Sequence, residues 1–256
     1  MDLVFSPTAC PELELPQVLE LAADSGFKRI QLFRDATESS PVHPNTSVPM
    51  VRERIAAAGF SLAGLNIRNL TGRKADSDDH NLPYNLRQLE WDIHLGRALG
   101  LTEFNLSGGA RTDEAQEDLI EGTNELLERL PGVRLNLGNQ QGNRLQCLAD
   151  FQAVLPALGA RARVLLNTGH LLTAGEDVLA FTEALANRIS VVHLRDQQGD
   201  RPVPFGQGDL PFSDLFSILK GAHYAGDFVV ELESVNWASP CDALSSARAF
   251  VEEAWN

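Results

Sequence analysis

Acid–base and metal-binding side chains follow short apolar runs in the second half of the sequence. Asn167 and His170 come directly after one run, His193 lies near the end of the next, and Glu231 sits inside a third. An imidazole can donate or accept a proton near neutral pH, and a carboxylate can act as a base or a metal ligand. Burying a carboxylate without a partner costs several kcal/mol or shifts its pKa, so we expect Glu231 to have a functional or networked role. For each isolated histidine a structural role stays open.

Strand-like and helix-like segments alternate along the whole chain. The predicted strands are residues 3–5, 29–33, 61–67, 103–106, 134–137, 163–166, 189–194 and 227–232, and the predicted helices are residues 16–25, 48–58, 84–99, 112–130, 144–158, 177–186, 212–220 and 240–254. Such pairs, repeated about every 30 residues, predict an α/β fold, a single (β/α)8 TIM barrel over residues 1–256, with a six-stranded open sheet as the alternative. Because barrel strands converge at their C-terminal ends, we expect the site at that mouth.

Glycines punctuate this pattern just before the predicted strands. Six of them end a helical segment: Gly26, Gly59, Gly100, Gly132, Gly159 and Gly226. A residue without Cβ suits the left-handed backbone that commonly follows a helix. We therefore predict a left-handed turn at each of these positions.

The composition is typical of a soluble globular domain. The chain has 256 residues, 43% of them hydrophobic, and a formal net charge of −14. No apolar run approaches the roughly 18 residues of a membrane span, and the first residues lack a basic secretory signal, so we expect a cytoplasmic protein without membrane partners. The negative charge argues against nucleic-acid binding, and association into homo-oligomers stays open.

Other polar residues are predicted to face the mouth. Gln31 comes from the second strand, Gly138 and Asn139 end the fifth, and Gln207 lies in the loop after the seventh. Residues 68–83 form the longest stretch without periodicity and follow the third strand. They could close over the mouth as a lid or form a plain solvated loop.

Four segments resemble the xylose isomerase-like TIM barrels, which comprise sugar and sugar-phosphate isomerases and epimerases, inosose dehydratases and isomerases, and endonuclease IV. Residues 167–170 read Asn-Thr-Gly-His where the family has Asp-Thr-Gly-His, and residues 193–196 read His-Leu-Arg-Asp for His-Leu-Lys-Asp. Residues 206–209 read Gly-Gln-Gly-Asp for Gly-Glu-Gly-Asp, and the fifth strand ends Leu-Gly-Asn for Leu-Glu-Asn. The resemblance spans the chain and implies the same barrel.

The resemblance also implies a degenerate metal site. The family's isomerases hold one divalent ion through Glu, Asp, His and Glu, and the matching positions here are Gly138, Asn167, His193 and Glu231. One carboxylate about 4 Å from a dication, at an effective dielectric of ~20, supplies roughly 8 kcal/mol before desolvation. With two carboxylates missing, we expect no tightly bound cofactor. Weak binding of Mn²⁺, Mg²⁺, Zn²⁺ or Co²⁺ by His193 and Glu231 stays open.

The family pattern assigns roles to the remaining residues at the mouth. Glu231 is the expected base, and His193 and His170 are expected to donate or relay protons. Arg195, Arg201 or a protonated histidine would supply the positive charge that the metal otherwise provides. Amides stand at three positions that are acidic in the family, which keeps hydrogen bonding while removing charge. The expected substrate-binding residues are Gln31, Asn139, Asn167, Arg201 and Gln207.

Two functions follow from this pattern. The first is a proton-transfer enzyme, an isomerase, epimerase or lyase, that acts on a sugar, keto-sugar or cyclitol without the family's tightly bound metal. The alternative is a non-catalytic carbohydrate-binding pseudoenzyme of the same fold. An abasic-site endonuclease is disfavoured, because that branch needs a zinc cluster rich in histidine and the chain has only six histidines.

Overall fold

Eight parallel strands close into a barrel, which confirms the predicted (β/α)8 fold. The structure, a computed structural model, describes residues 3–35, 37–70, 82–233 and 237–256. Around the barrel the strands follow the order β1-β10-β7-β6-β5-β4-β3-β2. Their bounds are Val4–Phe5 (β1), Arg29–Phe33 (β2), Ser61–Asn66 (β3), Glu103–Ser107 (β4), Arg134–Gly138 (β5), Ala162–Asn167 (β6), Ile189–Leu194 (β7) and Asp227–Val230 (β10).

Helices cover the outside of this barrel. Their bounds are Leu15–Asp24 (α1), Val48–Ala57 (α2), Leu82–Ala98 (α3), Asp113–Arg129 (α4), Leu148–Val154 (α5), Thr168–Thr173 (α6), Val178–Leu185 (α7), Phe212–Gly221 (α8) and Pro240–Trp255 (α9). A short antiparallel pair, β8 (Gln197–Gln198) and β9 (Arg201–Pro202), lies in the loop after β7. No described helix is long and apolar enough to cross a membrane.

Two predicted features differ from the structure. The helix predicted over residues 144–158 is shorter, because α5 ends at Val154 and a 3-10 turn follows through Ala157. Helix α6 begins immediately after β6, in a segment predicted only as a strand end. Most of the predicted lid, residues 71–81, lies outside the described residues.

The left-handed turns are confirmed at Gly26, Gly59, Gly100 and Gly132, but the prediction is wrong for the other two glycines. After α8 the left-handed position is taken by His223, with φ 55°. Gly226 serves a different purpose, because a Cβ there would lie 2.0 Å from the Ser190 carbonyl oxygen. Gly159 follows the 3-10 turn, where Leu158 has already returned the chain to an extended conformation.

The apolar core has two layers. Between the helices and the barrel lie large aromatic rings that are almost fully buried, including Phe104, Phe151 and Phe216. Each contributes about 1.5–3 kcal/mol when removed from water. Inside the barrel a smaller cluster is formed by Val4, Leu165, Val191 and Val229, with Ala63 packed against it. This inner layer is thin, and polar residues occupy the barrel interior on both sides of it.

Candidate active site

The barrel mouth contains a cavity of about 260 Å³, which is small for a ligand site. Its polar lining consists chiefly of amides, hydroxyls and imidazoles from the C-terminal ends of the strands. The lining residues that carry such groups or a charge are Thr8, Asn66, Asn69, Asn105, Ser107, Asn139, Gln140, Asn167, His170, His193, Arg195 and Glu231. The structure therefore brings the predicted residues Asn167, His170, His193 and Glu231 together in one cavity.

Glu231 lies at the centre of this group and is almost fully buried. Its Oε2 atom accepts hydrogen bonds from Asn167 Nδ2 and Arg195 Nε, each at 2.8 Å, and lies 3.3 Å from His193 Nδ1. No donor to Oε1 is found among the described residues. Within this part of the chain the carboxylate is thus anchored through one oxygen.

These contacts decide the charge of Glu231. Burial alone would raise the pKa of the carboxyl group, but the Arg195 guanidinium and His193 outweigh burial and hold the pKa well below its ordinary value. The side chain of Arg195 is only 11% exposed and also pairs with Glu233. Glu231 is therefore a carboxylate at neutral pH and a weaker base than an ordinary glutamate.

Strand register explains why Arg195 reaches Glu231. Strands β7 and β10 are neighbours, with Leu194 opposite Val230. Arg195 follows the last residue of β7 and Glu231 follows the last residue of β10, so the two residues lie at the same level of the mouth. Because side chains alternate along a strand, Arg195 and His193 share the inner face.

His170 stands over the cavity on the short helix α6. Asn167 is the N-cap of this helix, and its Oδ1 accepts a hydrogen bond from the His170 backbone N–H at 3.2 Å. Asn139 fixes this turn, because its amide accepts from Asn167 N at 2.7 Å and donates to Asn167 O at 2.9 Å. Burial, followed by the nearby Arg195 guanidinium, lowers the pKa of His170 to about 4. Its ring is therefore neutral at pH 7, and it makes no hydrogen bond to the residues described here.

A chain of hydrogen-bonded side chains runs from His193 into the barrel. The Gln31 amide contacts His193 Nε2, with Nε2–Nε2 3.1 Å and Oε1–Nε2 3.2 Å, and Gln31 Oε1 accepts from Asn105 Nδ2 at 3.0 Å. Asn136 Nδ2 donates to Asn105 Oδ1 at 2.8 Å, and Ser190 Oγ donates to Asn136 Oδ1 at 2.7 Å. The Gln31 amide can accept a hydrogen bond from Nε2 when that nitrogen carries a hydrogen, and donate one to it when it does not. The His193 ring therefore has a hydrogen-bond partner in either tautomer.

The four positions that hold the family's metal do not fit a divalent ion. Gly138 supplies no side-chain donor, and the Asn167 amide nitrogen already points at Glu231. Oε2 of Glu231 is engaged by the Arg195 guanidinium, whose fixed positive charge opposes a second cation. A Cβ at Gly138 would make ordinary contacts, 3.4 Å from Leu165 Cδ2 at the nearest, so the packing does not require glycine there.

Two predicted substrate-binding residues lie away from the cavity. Arg201 is exposed on β9 and donates to Gln198 Oε1 at 3.3 Å, and Gln207 is also exposed. Asp196 sets the path of their loop by accepting from the backbone N–H groups of Gly206, Gly208 and Leu210. The buried carboxylate of Asp196 thus fixes the backbone of the Gly-Gln-Gly-Asp motif by hydrogen bonds. The predicted substrate-binding roles of Arg201 and Gln207 stay predictions.

Sequence reasoning placed Ser107 at the mouth but missed its two neighbours in the cavity wall, Asn69 and Gln140. Ser107 Oγ lies 2.7 Å from Asn69 Oδ1 and 2.9 Å from Gln140 Oε1, and all three residues line the cavity. Each follows or ends a strand, which was the available signal. Gln31, which was predicted to bind substrate, is buried below His193 and contacts the imidazole ring directly.

Comparison with known proteins places this geometry in a family. Residues 19–254 match the family described as xylose isomerase-like TIM barrel. Inosose dehydratase 2 of Bacillus cereus is 28% identical over 166 residues, which is 56% of this chain and 55% of that protein, so the chain spans about half the length of this curated relative.

Two solved structures share the fold over nearly their whole length. An L-ribulose 3-epimerase structure has a TM-score of 0.81 at 20% identity, covering 100% of this chain and 95% of that chain. The IOLI protein with a bound zinc atom has a TM-score of 0.82 at 16% identity, covering 100% and 98%. The match to the family model extends over nearly all of the sequence, and we conclude that the chain belongs to the xylose isomerase-like TIM barrel family.

Proposed function

We propose that this protein is a metal-independent enzyme that moves protons on a small sugar, keto-sugar or cyclitol bound in the mouth cavity. The observation that carries the proposal is the Arg195–Glu231 ion pair beside a neutral His170 in a cavity walled by amides and hydroxyls. Names of relatives support this substrate class, since they include an inosose dehydratase and an L-ribulose 3-epimerase. Isomerisation, epimerisation and dehydration of such ketones all begin with loss of a proton next to the carbonyl group.

The proposed role of each side chain at the mouth follows from its charge. Arg195 carries a permanent positive charge and can donate to the carbonyl oxygen, where negative charge develops when the proton leaves. His170, neutral and without a partner in the described residues, accepts the proton, and Oε1 of Glu231 is the second acceptor. The surrounding amides hold the hydroxyl groups. Gly138 leaves the opposite side of the cavity without a carboxylate, so an acid or base that acts from that side must be His193 or water.

Solvent deuterium exchange tests the proposal without knowledge of the final product. Ketoses and keto-cyclitols are incubated with the protein in D₂O and a chelator, and NMR follows replacement of the hydrogen next to the carbonyl. Wild type should exchange this hydrogen in at least one compound, and His170→Gln should slow exchange by about 10²–10⁴-fold, the usual contribution of a positioned base. His94→Gln, the same substitution at an exposed histidine of α3, is the matched control and should exchange like wild type.

A non-catalytic carbohydrate-binding protein is the second candidate. The observation that favours it is the anchoring of Glu231 Oε2 by Asn167 and Arg195, which weakens the carboxylate as a base. In that case calorimetry detects binding of a compound whose hydrogens never exchange. Exchange that requires added Mn²⁺ would instead overturn the metal-independent mechanism.

A further inference from the structure

The opposite end of the barrel encloses a second and larger cavity, of about 690 Å³. It opens at the N-terminal ends of the strands and extends into the barrel interior, where Asn105 lines both cavities. Three arginines, Arg29, Arg134 and Arg163, line it at the beginning of β2 and β5 and near the beginning of β6. Conserved architecture at this end of a TIM barrel usually serves stability, so a polar cavity with three guanidinium groups needs a separate explanation.

The charges in this cavity do not balance. Arg29 Nη2 donates to Asp227 Oδ2 at 2.9 Å, and Arg134 pairs with Glu103. Arg163 forms no hydrogen bond or ion pair with any described residue, although it lines the cavity and is only partly exposed. Two carboxylates thus face three guanidinium groups, which leaves one positive charge.

One further arginine, Arg188, lies beside Arg163 outside the cavity lining and increases this excess. Arg188 donates to the Ala162 carbonyl at 2.8 Å, while its Nε is buried without a partner among the described atoms. Its burial, and then the nearby Arg163 guanidinium, lower the pKa of Arg188. Partly desolvated cations that repel each other are unfavourable unless an anion compensates them. The excess is notable because the whole chain carries a net charge of −14.

We propose that this cavity binds a small phosphate-bearing metabolite, with its phosphate group on Arg163. A guanidinium presents two parallel N–H groups that match two phosphate oxygens. The cavity is large enough for a ligand bigger than phosphate alone. Its lining also includes Ser190, Asn136 and the Asp227–Arg29 pair, which can form hydrogen bonds to the hydroxyl groups of a sugar-like part of the metabolite. Arg163 lies near the beginning of β6, whereas Asn167 of the mouth lies at its end. The proposed phosphate position is therefore distinct from the mouth, and it neither requires nor supports the proposed enzymatic function.

Calorimetric titration tests this assignment, with inorganic phosphate and ribose 5-phosphate as probes at low ionic strength. Wild type should bind ribose 5-phosphate saturably at one site and more tightly than inorganic phosphate. Arg163→Gln should weaken binding of both probes at least tenfold, because a charge-assisted bidentate contact is lost. Arg52→Gln changes the net charge equally but lies on α2, where the guanidinium donates to the Ala98 carbonyl, and it should bind like wild type.

Two further variants separate the alternatives. Arg195→Met combined with Glu231→Gln removes the guanidinium of the mouth without leaving a buried carboxylate unpaired, and it should leave phosphate binding unchanged. Arg163→Lys keeps the charge but not the paired N–H groups, so it should bind with intermediate affinity and decides the matter if Arg163→Gln does not fold. Absence of saturable binding in wild type, equal binding by Arg163→Gln, or loss of binding in the mouth double variant alone would each overturn the proposal. If both probes bind with equal affinity, the cavity binds free phosphate, and the claim that it also recognises a sugar-like group is wrong.

Discussion

Removing the guanidinium of Arg195 is the most informative perturbation of the mouth. The Arg195 side chain is 11% exposed and that of Glu231 is 4% exposed, so water screens their attraction weakly. Methionine at position 195 keeps most of the apolar stem but leaves the carboxylate with only Asn167 and His193. An uncompensated buried charge of this kind costs about 3–5 kcal/mol. In a protein of this size that corresponds to a decrease in Tm of roughly 6–20 °C.

The loss should also depend on pH in a defined direction. In wild type the pKa of Glu231 is lowered, so its stabilisation is complete above the unfolded-state pKa and is lost only as the pH falls through the still lower folded-state pKa. In Arg195→Met burial is opposed by fewer contacts, and the pKa of Glu231 rises. The variant can then protonate Glu231 as the pH falls and recover part of its stability. The difference in Tm between wild type and variant should therefore be larger at pH 8 than at pH 5.

Thermal and urea unfolding of four proteins measure this effect. Arg129→Met is the control, because Arg129 also contacts two carboxylates, Glu90 and Glu125, but is 44% exposed and should contribute little. Arg195→Met combined with Glu231→Gln should be more stable than Arg195→Met alone, because the stranded charge is gone. If Arg195→Met unfolds at the same temperature as Arg129→Met, or if adding Glu231→Gln lowers stability further, the reasoning about the buried ion pair is wrong.

Two more predictions follow from contacts at the same end of the barrel. Gln31→Leu removes the hydrogen-bond partner of the Asn105 amide below it and of the His193 ring above it. The free energy of unfolding, measured in urea, should therefore fall by about 1–3 kcal/mol. An unchanged midpoint of the urea transition would contradict the hydrogen-bonded chain. Gly138→Glu with Asn167→Asp rebuilds the carboxylates of the family's metal site, but tight Mn²⁺ binding by calorimetry should require Arg195→Met as well, since the guanidinium competes for the carboxylate. Tight binding by the double variant alone would show that Arg195 moves aside.

The barrel could be predicted because its signals are local. Each strand is a short apolar run, a helix separates each strand from the next, and most of these helices end near a glycine or a 3-10 turn. The bounds were less certain where a polar residue changes the hydrogen bonding, as at Asn167, which ends β6 and caps α6 at once. An N-cap asparagine three residues before His170 was a usable signal, but the strand motif obscured it.

The site could be predicted only as a set of residues, because their pairing depends on strand register. That Arg195 meets Glu231 follows from Leu194 lying opposite Val230, and nothing in the sequence fixes this alignment. Arg201 illustrates the converse case. Its loop is directed by backbone hydrogen bonds to Asp196, and a basic residue near a motif carries no information about that path.

A guanidinium beside Glu231 restricts the chemistry more than a metal ion would. A metal offers exchangeable positions to two substrate oxygens at once, whereas Arg195 already uses Nε and Nη1 on Glu231 and Glu233. Its remaining N–H groups can stabilise one developing oxyanion by hydrogen bonds, and its charge cannot be removed by chelators or by ordinary changes in pH. The reactions that suit this arrangement need one activated carbonyl and one proton acceptor. Proton exchange or elimination next to a ketone meets this requirement, while a two-base epimerisation needs a second acid or base that Gly138 cannot supply.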